Sequence, residues 1–149
     1  MTDSVFDKIL VAVDDSPAAL AAVRSAIDLA SRTGARIRFV HVISNGELVR
    51  ALSRMGRDSE LATRRSKAAA SLLRHVGAQA ERAGVRAEAT SLNGDPAALL
   101  LEETSEWGGD LIVIGRSDVR GAGRPYVGTV TRKVLELAEV PVLIVPRPR

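Results

Sequence analysis

Short, wholly apolar runs alternate with longer amphipathic stretches along this chain, and that alternation limits the folds open to it. Lys8 to Val13 (KILVAV) and Asp110 to Ile114 (DLIVI) are strand-sized and show no polar face. Runs that are apolar on both faces belong to strands buried inside a parallel sheet. Arg36 to Ile43 (RIRFVHVI) and Val140 to Val145 (VPVLIV) read as strands too, the last an edge strand bracketed by Pro141 and Pro146. Val85 to Leu92 alternates, which predicts a less buried strand.

The segments between them carry helix punctuation. Pro17 to Thr33 is predicted as a helix with Ser16 as cap, Pro17 in its first position and Gly34 at its end. Asp58 to Ala83 is the long helix, with Leu61, Ala68, Leu72, Val76, Ala80 and Ala83 as its apolar stripe and Gly84 as its stop. Asn93-Gly94-Asp95-Pro96 is a turn and cap, Pro96 to Trp107 a helix closed by Gly108-Gly109, and Gly128 to Ala138 the last helix. Ser44 to Arg57 has weak periodicity and reads as a loop or partial helix. The β-α-β-α-β-α-β-α-β order predicts a doubly wound α/β fold, a parallel sheet with helices on both faces. At 149 residues the chain is expected to form one domain, 1–149.

Composition removes several functions. Cysteine is absent, which excludes thiolate catalysis, disulfides and zinc-thiolate sites. Twenty-one basic residues stand against eighteen acidic ones, interspersed and without a basic block, and aromatic residues are too few to stack bases, so nucleic acid is not an expected partner. MTDSVFDKIL lacks a basic, then apolar, leader pattern, and no apolar run approaches a membrane span. A cytoplasmic chain with no membrane partner is the expectation.

In doubly wound sheets ligands sit beyond the carboxyl ends of the strands. Asp14-Asp15-Ser16, Val42 and Ile43, and Gly115 onward occupy those places. The two acids suit a cation, a phosphoryl group or an amino group of a base; they equally suit the N-terminus of the helix that follows. Receiver domains that accept phosphoryl groups also need an Asp after the third strand and a Lys after the fifth. Thr90-Ser91-Leu92 and Pro146-Arg147 stand there, and the requirement fails.

The stretch LIVIGRSDVRGAGRPYVGTVT, Leu111 to Thr131, delivers a strand through a loop to a helix N-terminus. The first amides of a helix lack intrahelical partners and carry partial positive charge, which favours a phosphate. Gly115 permits a sharp turn or close approach, Gly128 does so at the helix start, Thr129 adds a hydroxyl, and Arg116, Arg120 and Arg124 can screen phosphate charge.

Taken together, these segments resemble the universal stress protein family along nearly the whole chain. ILVAVDDSPAA resembles its opening strand and acidic turn, and FVHVI its second strand. NGDPAALLLEETSEWGGDLIVIG resembles its Gly-x-Pro turn, third helix and fourth strand, and VPVLIVP its closing strand. Nucleotide-binding members carry a glycine, two residues, a second glycine, nine residues, then Gly-Ser or Gly-Thr. Gly115 matches the first position and Gly128-Thr129 the last.

The resemblance implies a five-stranded sheet of order 3-2-1-4-5. It also implies an adenine-nucleotide site, most simply for ATP, serving a regulatory or stress-response role. Ala12, Asp14 and Val42 would hold the adenine or ribose side. Gly115, Arg116, Asp118, Gly128, Thr129 and Val130 would follow the ribose and phosphates. Mg²⁺ or Mn²⁺ would be held mostly by the phosphates. In the family the closing strand pairs with its copy across a dimer axis, here Val140-Val145, and a regulatory protein partner is compatible with such a role. The chain departs from the pattern at Asp118, where the second glycine belongs. A side chain there hinders close approach, and a carboxylate repels phosphate; Pro125 further stiffens the loop. A nucleotide-free interaction module of the same fold is the alternative that this departure raises.

No nucleophile–base pair can be assembled near the loop, and the GxxxxGK[ST] and SGGxDS patterns are missing. At most, slow ATP hydrolysis is expected. His41 is read as a packed, hydrogen-bonded strand residue, His75 as exposed on the long helix, and Trp107 as a cover for the core edge.

Overall fold

The computed structural model describes residues 5–44, 58–116 and 127–148. They form β1 (Lys8–Ala12), α1 (Pro17–Thr33), β2 (Arg36–Ile43), α2 (Asp58–Arg82), β3 (Ala87–Asn93), α3 (Pro96–Trp107), β4 (Leu111–Gly115), α4 (Thr129–Leu137) and β5 (Val142–Val145). The five strands make one parallel sheet in the order β3-β2-β1-β4-β5. The expected topology is the observed one. Residues 45–57, which take in all but the first residue of the stretch read as a loop or partial helix, and the loop 117–126, with Asp118, Arg120, Arg124 and Pro125, lie outside the described residues.

Each face of the sheet has its own core. Ile9, Val11, Ile37, Phe39 and Val113 pack under α1 and α2, through Ala22, Val23, Val76 and Ala80. Leu10, Val40, Ile112 and Ile114 pack under α3 and α4, through Leu100 and Val134. Successive strand residues thus feed opposite layers, which requires the near-continuous apolar runs seen in the sequence.

Helix punctuation acts where it was read. Ser16 Oγ accepts the Ala19 amide at 3.1 Å, and Gly34 closes α1 at φ 78°. Asp95 Oδ2 accepts the Ala98 amide at 3.0 Å, and Gly108 closes α3 at φ 78°. Strand edges differ from the reading. β1 stops at Ala12 rather than Val13, β3 starts at Ala87 rather than Val85, and β5 starts at Val142 rather than Val140. The Val85 amide is spent on the Ala80 carbonyl at the end of α2, so Val85 caps that helix instead of entering the sheet. Asp110 is not a strand residue: its carboxylate accepts the Asp7 and Lys8 amides at 2.8 and 3.1 Å, tying the start of β4 to that of β1.

Trp107 covers the amino-terminal edge of the second core and does more than cover it. Lys8 Nζ donates to its carbonyl at 3.0 Å and sits 5.6 Å from the ring centre, while the Arg38 guanidinium lies 5.4 Å from it. Arg38 also donates to Glu103 at 2.9 Å and Glu88 at 3.1 Å, so α3, β2 and β3 are joined through one planar cation.

Candidate functional site

Strand order reverses direction at β1: the chain winds from β1 to β2 and β3 on one side, then crosses to β4 and β5 on the other. Beyond the carboxyl ends of β1 and β4 lies a cavity of about 590 Å³. Small-molecule sites span roughly 300–1,000 Å³. Its apolar wall is built from Ala12, Val40, Val42, Leu100 and Ile114. Its polar rim comes from Asp14 and Ser16 at the end of β1, and from Gly115, Arg116 and Gly128 to Thr131 at the β4–α4 junction.

The β1–α1 turn is fastened by its own side chains. The Ser16 amide donates to Asp14 Oδ1 at 2.7 Å, and Ser16 in turn caps α1. Asp14 thus braces the turn into the helix and also lines the cavity. Asp15 is exposed and is not part of the lining.

Gly115 lines the cavity and has a second, structural job. It is the last residue of β4, not a break in the chain. A Cβ there would meet the Ala18 carbonyl carbon at 2.6 Å and the Ala19 nitrogen at 2.7 Å. What approaches this glycine closely is the backbone of α1. Its carbonyl accepts the Thr131 hydroxyl at 3.1 Å, which pins the first turn of α4 to the end of β4. The Arg116 amide closes the β4–β5 ladder on the Val145 carbonyl at 2.7 Å.

Gly128 is the N-cap of α4 at φ 93° and ψ 149°, with no side-chain cap on the helix amides. That backbone region is essentially glycine's alone. Arg116 is the single cation, and Asp14 the single acid, among the described lining residues. The cavity thus brings together an apolar wall, one carboxylate, one cation and a glycine-capped helix terminus.

Of the residues singled out from the sequence, Ala12, Asp14, Val42, Gly115, Arg116, Gly128, Thr129 and Val130 surround this one cavity. Asp118 falls outside the described residues. Val13, Val40, Pro96, Leu100, Ile114 and Thr131 also line it and were missed. Alternation on β2 already placed Val40 on the face of Val42, and Pro96 opens a helix at a strand's carboxyl end; both signals were available. Leu100 comes from a tertiary contact with no local sign.

A profile of the universal stress protein family matches residues 6–146. The chain belongs to the universal stress protein family. Universal stress protein YxiE of Bacillus subtilis (strain 168) is 32% identical over 148 residues, covering 95% of this chain and 99% of that protein. The solved structure of hypothetical protein MJ0577 shares the fold at a TM-score of 0.83 and 22% identity, over 97% of this chain and 99% of that one. A universal stress protein solved in complex with cAMP has a TM-score of 0.71 and 22% identity, over 98% and 100% of the two chains. One from Archaeoglobus fulgidus, solved in complex with dAMP, has a TM-score of 0.68 and 24% identity, over 95% and 98%. Among the described residues of this universal stress protein, no helix is long and apolar enough to cross a membrane.

Proposed function

We propose that this universal stress protein is a cytoplasmic, single-domain regulator that binds an adenine nucleotide, with ATP as the leading candidate. The carrying observation is one cavity at the switch point that joins an apolar slot, Asp14 and the glycine-capped start of α4. The base lies against Ala12, Val40 and Val42, with the Asp14 carboxylate accepting from an amino or ribose hydroxyl donor. The phosphates lie along Gly115, Gly128, Thr129 and Val130, with Arg116 and the loop residue Asp118 beside them. Relatives of the same fold captured with cAMP and dAMP support the adenine part of this reading. Mg²⁺ or Mn²⁺ is held mainly by the phosphates.

Isothermal titration of the purified chain with ATP, cAMP and dAMP, each with and without Mg²⁺, tests the reading. Heat of binding at micromolar to millimolar nucleotide is expected, and Asp118→Gly should tighten ATP severalfold by removing a carboxylate from the phosphate side. Absence of binding to all three at millimolar concentration sinks the proposal. It would favour a nucleotide-free docking module, the reading that Asp118 itself raises.

We also propose a homodimer through the edge that includes Val140-Val145. β5 ends the sheet, Leu143 is 41% exposed on it, and Leu135 and Leu137 are exposed on the adjoining α4. An uncovered apolar edge invites pairing. Sedimentation equilibrium should give twice the chain mass, and Leu143→Asp should give the monomer. A monomeric wild-type chain at tens of micromolar would overturn the assembly.

A further inference from the structure

The turn that presents Asp14 is held from β2 by a side chain that does not line the cavity. Val40 and Val42 line the cavity; His41, between them, shares the opposite layer with Phe39. The His41 Nδ1 lies 2.8 Å from the Val13 carbonyl oxygen, and the Val13 amide donates to the Val40 carbonyl at 2.9 Å. A carbonyl only accepts, so Nδ1 carries the proton. Both polar groups of Val13 are thereby fixed by two successive residues of β2, one through its backbone and one through its ring.

The Val13 carbonyl belongs to the planar peptide that leads into Asp14. Fixing that oxygen fixes the plane, and with it the direction in which the Asp14 Cα projects its side chain. The Ser16 amide then holds Oδ1 at 2.7 Å. Among the described residues, Asp14 Oδ2 has no protein partner. We infer that His41 is a positioning residue for the nucleotide site: it locks the Val13–Asp14 peptide so that this carboxylate oxygen is aimed at the ligand. The inference rests on the nucleotide reading above.

Geometry supplies the test. Asparagine carries an amide N–H at the same δ position as the imidazole Nδ1, glutamine carries it one bond farther out, and phenylalanine fills the ring's space with no donor. His41→Asn should bind ATP with Mg²⁺ within about twofold of wild type. His41→Phe and His41→Gln should each bind about tenfold more weakly, the effect of one misdirected hydrogen-bonding group. Thermal melts of all four proteins separate aim from stability, because a purely structural role makes affinity follow Tm across the set. Equal affinity in all four, or equal loss in the Asn and Gln variants, overturns the role while leaving nucleotide binding intact. A wild-type chain that binds no nucleotide overturns the binding reading and this role with it. Should the Phe variant fail to fold, the Asn–Gln contrast alone decides.

Discussion

Gly115→Ala is expected to lower stability by about 3 kcal/mol, in the range of a core forced to hold an extra methyl group. For a chain of this size that is a fall in Tm of roughly 6–12 °C. The sign is informative. Gly115 does not use a positive φ, and replacing such a glycine with alanine ordinarily stabilises by about 0.4–1 kcal/mol through the unfolded chain. Here the new Cβ would stand 2.6 to 2.8 Å from three backbone atoms of Ala18 and Ala19. Backbone in the first turn of a helix cannot rotate aside, and Ala18, Ala19, Ala22 and Val23 are all buried, so α1 has nowhere to retreat. Because the atoms met are backbone, Ala18→Gly should not rescue the variant. Thermal or urea unfolding of the single and double variants measures this, and an unchanged or raised Tm would show that α1 can slide. Any such slide also carries Ser16 and Asp14, so the cost at Gly115 and the shape of the cavity are one mechanical problem.

That glycine shows where sequence reading stops. Its position in the family pattern was legible, but the reason for it was not, because Ala18 lies nearly a hundred residues away along the chain. The same holds for the Val13–His41 strut and for Arg38 bridging Trp107, Glu88 and Glu103: each joins residues that no local rule relates. Signals written within a few residues fared differently. Ser16, Pro17 and Gly34 bound α1, and Asp95 and Gly108 bound α3, because caps act over one helical turn. The stripe of α2 was partly misread. Ala69, not Ala68, is buried with Val76 and Ala80, while Ala68 is exposed. At about 100° per residue, position 69 falls within about 20° of position 76, and position 68 about 80° away. Ala83 has the right phase but lies past the end of the helix, where Gly84 at φ 71° turns the chain away, and it too is exposed. The side chain of Leu61 lies outside the described part. His75 is exposed on the long helix, in agreement with the sequence reading.

Gly128→Val should weaken ATP binding by at least about a hundredfold while leaving a folded chain. The residue sits at φ 93° and ψ 149°, where an L side chain costs of order 1–3 kcal/mol and a β-branched one the upper end of that range. The backbone will leave that region, and the first turn of α4 will move with it. Two bonds resist the move: the Arg132 amide on the Gly128 carbonyl at 3.0 Å, and the Thr131 hydroxyl on the Gly115 carbonyl at 3.1 Å. The strain is therefore released mainly at the cap and the amides next to it. A phosphate held there needs those amides to converge on it, and that condition fails. About 2.8 kcal/mol lost in this way, near the top of that range, accounts for the hundredfold, since each 1.4 kcal/mol is about a factor of ten. Gly128→Ala, which lacks the branch, should fall between Val and wild type. Circular dichroism and a melt establish that the variants fold, and titration calorimetry reads the affinities. A folded Val variant that binds ATP within threefold of wild type would mean that the phosphates lie elsewhere in the cavity. The same variant should leave adenosine binding nearly unchanged, because in the proposed pose the base lies against Ala12, Val40 and Val42 and makes no use of the α4 amides.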